Sequence, residues 1–211
     1  MIKPFNDPFL HNVLIGTLLG DANLQTFNGY SWRARFLQCH DHKDYLFHLY
    51  DLFKLYVKTP PIESDDGNGN SRWSFNTTVV PELVFYADLF YKNKKKIVPP
   101  FLFEHFNQIS LAYWFMDDGS LKRYKTTQAF ILCTDSFSKD EVLFLGSMLK
   151  LKYNIHVNYH KQRDNYRIYV PTKHFQDFSS LILPFLHPNF NYKLALPEAQ
   201  VPGPTKSLLI T

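Results

Sequence analysis

The chain contains the same arrangement of residues twice, and the two copies are offset by 97 positions. One apolar stretch ends in Asp21, and a second stretch of the same kind ends in Asp118, 97 positions later. Lys96, in a Lys-Ile-Val-Pro segment, and Lys193, in a Lys-Leu-Ala-Leu-Pro segment, are separated by the same 97 positions. Several different elements at one spacing indicate an internal duplication, which limits the fold to two related halves.

The two apolar stretches, residues 14–22 and 111–119, have the length and composition of buried helices. Gly16 and Gly20 lie four positions apart, on one helical face. Each glycine costs about 1 kcal/mol in helix propensity, and close approach of a second helix would explain that cost. We therefore expect the two motif helices to pack along a pseudo-twofold axis, with the acids at their ends brought together.

A second helix and two strand pairs are predicted in each half. Ser138 and Glu141 form a capping box for this helix in the second half, and Asp41 is predicted to be the equivalent N-cap in the first. Between these helices, polar and apolar residues alternate with the period of half-buried strands. The alternating segments are 32–36, 72–78, 155–160 and 165–170, with a further strand at 129–133. The helix residues that match at the 97-residue offset are Leu46, Phe47, Leu52 and Tyr56 in the first half and Leu143, Phe144, Leu149 and Tyr153 in the second.

This pattern predicts an α+β fold built from two pseudo-symmetric αββαββα repeats with antiparallel sheets. Residues 1–96 form the first repeat, 97–108 a linker with Pro99 and Pro100, and 109–211 the second repeat.

The composition is that of a globular chain, with 45% hydrophobic and 17% aromatic residues. Its net charge of +4 permits a polyanionic partner without requiring one. Cys39 and Cys133 are too few for a disulfide scaffold, so we expect two free, buried thiols in a reducing compartment. The chain has neither an apolar run of membrane-spanning length nor a signal or Arg-rich presequence at residues 1–7, and we expect no membrane association.

Two carboxylates at close range repel each other unless cations bind between them, and Mg²⁺ favours such oxygen ligands, with Mn²⁺ or Ca²⁺ as substitutes. Asp21 alone would be an ordinary acid at a helix end, but the matching Asp118 and the matching lysines favour a catalytic site. Lys96 and Lys193 would each add a positive contact for one strand of an antiparallel duplex. Asp117 has no acidic counterpart in the first half, and we treat it as secondary.

The polar faces of the predicted strands carry residue types that contact phosphates and base edges in duplex DNA. A two-stranded ribbon fits the major groove, whereas an ordinary solvated sheet face is the alternative. The candidate DNA-binding residues are Arg33, Arg35, Arg72, Asn76, Asn158, His160 and Arg167.

The two stretches resemble the paired motifs of the LAGLIDADG homing endonucleases, with Asp21 and Asp118 at the eighth motif position. Residues 113–119, Tyr-Trp-Phe-Met-Asp-Asp-Gly, are especially similar to single-chain, two-motif members encoded in fungal mitochondrial introns. The likeness covers nearly the whole chain after residue 10. One departure is that Tyr113, Trp114 and Met116 are bulkier than the small residues typical of the motif helix, which predicts an asymmetric axis.

The resemblance implies a monomer whose two saddle-shaped sheets grip a long, asymmetric site in double-stranded DNA. It implies Mg²⁺ held by Asp21, Asp118 and the backbone carbonyls of Gly20 and Asp117, and cleavage that leaves short 3′ overhangs. Lys96 and Lys193 would lie near the two scissile phosphates. A mitochondrial protein encoded in the organelle is the implied localisation.

Two alternative functions share this fold. One is an intron maturase that assists RNA splicing, with intron RNA as its partner. The other is a cleavage-inactive DNA-binding protein. Retention of both acids and both lysines favours the nuclease over the inactive protein, and a plain structural α+β domain would leave the repeated spacing unexplained.

Overall fold

The computed structural model describes residues 3–65 and 67–195. Its first half follows the predicted order of helix, hairpin, helix, hairpin, helix. The order arises because apolar residues recur with helical spacing in three segments and alternate in the strands between them. The elements of this half are α1 (Pro8–Leu19), β1 (Asn23–Thr26), β2 (Trp32–Cys39), α2 (Lys43–Phe53), β3 (Ile62–Asp65), β4 (Ser71–Asn76) and α3 (Leu83–Phe90).

A small hairpin and a short helix connect the halves. They are β5 (Tyr91–Lys92), β6 (Lys95–Lys96) and α4 (Leu102–His105), the last lying inside the predicted linker. The second half then repeats the order of the first, which confirms the α+β class and the duplicated element order. Its elements are α5 (Gln108–Asp118), β7 (Gly119–Tyr124), β8 (Thr127–Leu132), α6 (Lys139–Tyr153), β9 (Asn158–Gln162), β10 (Asn165–Val170) and α7 (Phe175–Ile182), and a 3₁₀ helix, Pro188–Leu194, follows them.

Each half forms one four-stranded antiparallel sheet, and the strand order is the same in both. The first sheet has the order β1-β2-β4-β3 and the second β7-β8-β10-β9. One face of each sheet packs on the helices through aromatic rings: Phe36 packs against Phe53 of α2 at 4.8 Å between centroids, and Phe130 stacks on Phe175 of α7 at 4.5 Å. The opposite faces carry the polar residues.

The motif helices α1 and α5 pack against each other at the centre of the molecule. A Cβ added to Gly16 would lie 2.4 Å from the backbone oxygen of Ser110 and 2.8 Å from Cβ of Tyr113. The glycine therefore lets the backbones of α1 and α5 approach closely, as the sequence predicted. Trp114 and Met116 are also buried, as part of the same core.

The offset between the halves is not constant, which corrects the alignment of α2 with α6. The buried residues Leu49 and Phe53 correspond to Leu145 and Leu149, 96 positions later. At an offset of 97, the buried Leu46 would match Leu143, which is 37% exposed. The change arises in the first hairpin: Leu24 pairs with Ala34 in one half, and Leu121 pairs with Phe130 in the other, so the second connection is one residue shorter.

Two local predictions at element ends were wrong. Asp41 does not cap α2, because it lies in a 3₁₀ turn, His40–His42, that leads into the helix without a side-chain cap. Strand β9 begins at Asn158 rather than at Ile155, whose N–H closes the end of α6 by donating to the oxygen of Leu149 at 3.3 Å. The capping box of Ser138 with Glu141 is confirmed.

The two cysteines are free, but neither is buried as predicted. Cys39 is exposed and Cys133 is half-buried, because both lie where a strand runs out of its sheet into a loop. Within the two described ranges, no helix is long and apolar enough to cross a bilayer.

Candidate active site

The C-terminal ends of the two motif helices meet at one point. A Cβ added to Gly20 would lie 2.5 Å from Cβ of Asp117, so the chain ends touch there. The backbone N–H of Asp21 donates to Oδ2 of Asp117 at 3.2 Å. Small residues on α1 thus allow the acids of both halves to converge, as the sequence predicted.

Three acids of different character gather at this junction. Asp21 is exposed, whereas Asp117 and Asp118 are half-buried at the end of α5. Burial, followed by the nearby charge of Asp21, raises the pKa of Asp118 to about 7. Burial also raises the pKa of Asp117 well above its ordinary value, with Asp21 and Asp118 adding to the effect. The acids repel one another's charge, and a cation between them would relieve that repulsion.

Gln38 links the two halves of the acidic cluster, and sequence reasoning missed it. Its Nε2 donates to Oδ2 of Asp21 and to Oδ1 of Asp117, each at 3.2 Å. The residue is 6% exposed and lies on the inner face of β2, alternating with Arg35 and following the apolar Ala34 and Phe36. The sequence did contain a signal for Gln38: it is a polar residue at a position that the strand alternation assigns to the apolar face.

The two lysines occupy equivalent positions beneath the motif helices. Nζ of Lys96 donates to the backbone oxygens of Leu18, Gly20 and Ala22 at 3.0, 2.9 and 2.8 Å. Nζ of Lys193 donates to the backbone oxygen of Met116 at 2.5 Å and to that of Phe115 at 3.5 Å.

Each ammonium therefore lies at the negative end of its own half's helix dipole. Burial lowers the pKa of both lysines, that of Lys193 to about 8, while the acids Asp21, Asp117 and Asp118 oppose the shift. Two nearly buried positive charges beside three acids make a site in which charges of both signs are concentrated.

The donor set fits a hard divalent cation. Among the side chains of residues 3–65 and 67–195, no group of three or more His, Cys, Asp and Glu residues is arranged to hold a metal. A cation here would therefore rely on the carboxylates of Asp21 and Asp118, on backbone oxygens and on water or phosphate, a ligand set that suits Mg²⁺. The carbonyl oxygen of Gly20, a predicted ligand, already accepts from Lys96, although a carbonyl has a second lone pair.

The predicted DNA-binding residues of the first half lie on one face of the first sheet. Arg33 and Arg35 alternate with buried Ala34 on β2. Arg35 is directly opposite Asn76 on β4, and Cys39 is opposite Arg72, so these side chains share the face that points away from the core.

The predicted residues of the second half also share an outward face. Arg167 lies opposite His160, and Asn158 lies opposite Tyr169, whose ring stacks on His160 at 4.4 Å between centroids. Nε of Arg167 donates to both carboxylate oxygens of Asp135, at 2.8 and 3.0 Å. That ion pair neutralises much of the charge of Arg167. His160 and Asn158 are therefore more available for binding than Arg167 is.

Comparison with known proteins gives consistent matches over both halves. The model of the LAGLIDADG DNA endonuclease family matches residues 11–178. DNA endonuclease I-ChuI of Chlamydomonas applanata is 36% identical over 203 residues, which cover 87% of this chain and 93% of that protein. Cytochrome b mRNA maturase bI2 of Debaryomyces hansenii is 30% identical over 202 residues, covering 91% and 75% of the two chains.

A solved structure is similar over the same extent. The homing endonuclease I-WcaI bound to its DNA recognition sequence matches with a TM-score of 0.83 and 30% identity. The match covers 90% of this chain and 88% of that one, so both repeats take part.

Proposed function

Because the chain belongs to the LAGLIDADG DNA endonuclease family, we propose that it cuts both strands of one long, asymmetric DNA site in a Mg²⁺-dependent hydrolysis that leaves short 3′ overhangs. The observation that carries the proposal is the convergence of Asp21 with Asp117 and Asp118 at the ends of two packed helices. Two equivalent half-sites in one chain match the two antiparallel strands of a duplex. For the same reason we propose a monomer.

Asp21 and Asp118, with the carbonyl oxygens of Gly20 and Asp117, would hold the divalent cation, and Mn²⁺ or Ca²⁺ would occupy the same ligands. When bound, such a cation supplies charge neutralisation at the scissile phosphate and lowers the pKa of a water molecule. Gln38 holds the Asp21 carboxylate through its amide, and this fixes the direction in which that carboxylate faces its ligand.

Lys96 and Lys193 each provide a positive charge for one strand. Their ammonium groups lie at the ends of α1 and α5, where they would face the phosphates that approach the acids. Positive charge in a preformed, partly dry site stabilises negative charge that develops on a departing oxygen. The free energy needed to bury these ammonium groups is supplied when the protein folds, before DNA binds.

The outward faces of the two sheets would bind the DNA itself. Arg33, Arg35, Arg72 and Asn76 share the outer face of the first sheet, and Asn158, His160 and Arg167 that of the second. Ribbons of this kind fit the major groove, where side chains reach base edges. The relative I-WcaI, whose structure contains its DNA recognition sequence, supports this use of the sheets.

The test is cleavage of a library of duplexes by wild type, Asp21→Asn and Asp118→Asn, with Mg²⁺ or with a chelator. We expect both variants to lose double-strand cleavage and to keep binding the selected duplex, because the acids hold the metal whereas the sheets hold the DNA. Asp51→Asn, an exposed acid on α2, is the matched control and should cut normally. Wild-type cleavage by either motif variant would refute the assignment.

A second candidate function is RNA maturation, since one relative is named a cytochrome b mRNA maturase. We propose on the same ground that the gene lies in a mitochondrial intron and that the protein acts in mitochondria. Splicing of the host intron RNA in the presence of Asp21→Asn protein separates the two activities, because we expect the variant to lose DNA cleavage and to retain the binding surface that a maturase would use. If the wild-type protein promotes splicing and does not cut DNA, the maturase assignment replaces the nuclease.

A further inference from the structure

Both halves carry an exposed aromatic side chain at the tip of their first hairpin. Phe27, which follows β1, is 92% exposed, and Tyr124, at the end of β7, is 68% exposed. The two residues are 97 positions apart, the same spacing as Asp21 and Asp118, so they are equivalent by the duplication. A single exposed apolar side chain needs no explanation, but the same kind at equivalent tips in both halves does.

A cation covers each of these rings. The guanidinium carbon of Arg33 is 5.2 Å from the centroid of the Phe27 ring, and Nζ of Lys125 is 5.5 Å from that of Tyr124. Nε of Arg33 also donates to Oε1 of Gln25 at 3.1 Å, which holds the arginine above the ring. Each tip therefore combines an apolar surface with a positive charge.

The loops that carry the rings are ordered by their own hydrogen bonds. In the first loop Oδ1 of Asn28 accepts from the N–H groups of Tyr30 and Ser31, both at 2.9 Å. In the second, Lys125 has a positive φ of 51°, typical of a tight two-residue turn, and Oγ1 of Thr127 donates to the oxygen of Tyr124 at 2.7 Å. The rings are thus held in a defined position in solvent.

Both tips project from the faces that we assign to DNA. Arg33, which covers Phe27, shares its face with Arg35. On β7, Tyr124 alternates with residues of the core-facing set that includes Leu121, and so shares the outer face with Lys122. Nζ of Lys122 is 6.0 Å from the ring of Tyr169, which stacks on His160.

Chain length limits where the tips reach. Phe27 lies six positions after Asp21, and Tyr124 lies six positions after Asp118. An extended chain of this length spans at most about 20 Å. Since each base pair advances about 3.4 Å, the backbone of each tip lies at most about 6 base pairs from the acid of its own half.

We propose that Phe27 and Tyr124 contact the target duplex, each pressing an aromatic ring on sugar and base edges of its own half-site. Arg33 and Lys125, the cations beside the rings, bind the adjacent phosphates. This inference rests on the proposed function, because it assigns how the same DNA is bound. Phe27 and Tyr124 are positioning residues, and they do not touch the reacting atoms.

The experiment measures binding of Phe27→Ala and Tyr124→Ala to three duplexes: the full cleavage site, and the same site trimmed on either side to about 3 base pairs from its centre, well inside the reach that the chain length allows. We expect each variant to bind the full site about tenfold more weakly than wild type and to match wild type on the duplex trimmed on its own side. Single-turnover cleavage at saturating DNA should fall less than affinity does. Leu55→Ala, which removes a 95% exposed apolar side chain outside both hairpins, is the control and should bind as wild type does.

Several outcomes would overturn the inference. Unchanged affinity of both variants for the full site would show that the rings do not contact DNA, while the nuclease assignment would stand. A loss that persists on the duplex trimmed on the variant's own side would show a structural effect instead, and a lowered melting temperature would identify it. Failure of the wild-type protein to bind or cut any duplex would refute the proposed function itself, and this inference with it.

Discussion

The side-chain carboxylate of Asp117, on the second motif helix, accepts a hydrogen bond from the backbone N–H of Asp21, at the end of the first, at 3.2 Å. Its other oxygen accepts from Gln38, which also binds the Asp21 carboxylate. Asp117, which the sequence analysis treats as secondary, thus connects the two halves at the candidate active site.

Asp117→Ala should slow cleavage more than it lowers stability. The change leaves the exposed Asp21 N–H and the partly buried Gln38 amide without their acceptor, a loss of about 0.5–1.5 kcal/mol for each hydrogen bond, and it releases the end of α1. Asp117→Asn keeps an acceptor oxygen and should retain most activity. Cleavage rates and denaturant unfolding of both variants test this, and equal rates for the two would contradict it.

Lys96→Met and Lys193→Met should slow the two DNA strands unequally. The three ammonium protons of Lys96 match three backbone oxygens, whereas Lys193 bonds to two within the described part of the chain. Lys193 therefore retains one N–H that can donate to a phosphate. Lys193→Met should slow cleavage more than Lys96→Met does, by about 10²–10³ at one strand. Strand-resolved nicking of a supercoiled plasmid measures both effects. Identical profiles for the two variants would argue against one lysine per strand.

Gly16→Ala and Gly20→Ala should differ in what they damage. At Gly16 the new Cβ meets backbone, the oxygen of Ser110, and the helices must separate, at a cost of about 1–3 kcal/mol in stability. At Gly20 it meets the Asp117 side chain, which would be displaced from Asp21. We therefore expect a lower melting temperature for the first and a larger loss of cleavage for the second. The reverse order would show that the axis is not packed as described.

The buried histidine His48 should contribute a loss of stability as the pH drops from about 6.5 towards 4, opposite in sign to the contribution of Asp118, whose pKa is raised to about 7. Burial, with a smaller contribution from His187, lowers the pKa of His48 from 6.5 to about 4, and its Nε2 lies 2.7 Å from the Tyr113 hydroxyl, with Tyr45 beside it. Since the unfolded chain takes up the proton first, the contribution is complete above about pH 6.5 and lost as the pH approaches 4, up to about 3 kcal/mol. Urea unfolding of wild type and His48→Asn across this range measures the slope. The same slope in both proteins would show that a group other than His48 causes the pH dependence.

Binding to the target duplex should weaken steeply as salt rises from about 50 to 200 mM, because phosphate contacts release counterions. The outer faces carry Arg33, Arg35 and Arg72, so Arg35→Gln should lower the slope of log affinity against log salt by about one. A titration at several salt concentrations gives both slopes. A flat dependence would rule out an extended phosphate contact.

The positions of the acids and the lysines could be predicted because the duplication repeats them 97 positions apart, and the element order because it recurs at nearly the same spacing. The role of Gln38 could not be predicted, because it depends on β2 passing beneath the ends of both motif helices. Only the packed structure shows that relation. The short strand β1, four residues of mixed polarity, gives too brief an alternation to identify. The cap at Asp41 failed because the chain enters α2 through a 3₁₀ turn in the first half alone.

The one-residue difference between the first hairpins bears on the origin of the target site. Because the chain from Leu24 to its partner Ala34 is one residue longer than the chain from Leu121 to its partner Phe130, the two first hairpins do not present their side chains in equivalent steps. On the proposed function, a palindromic sequence would therefore suit one half and be out of step with the other. A change in the length of either hairpin should then alter the preferred DNA sequence on that side only.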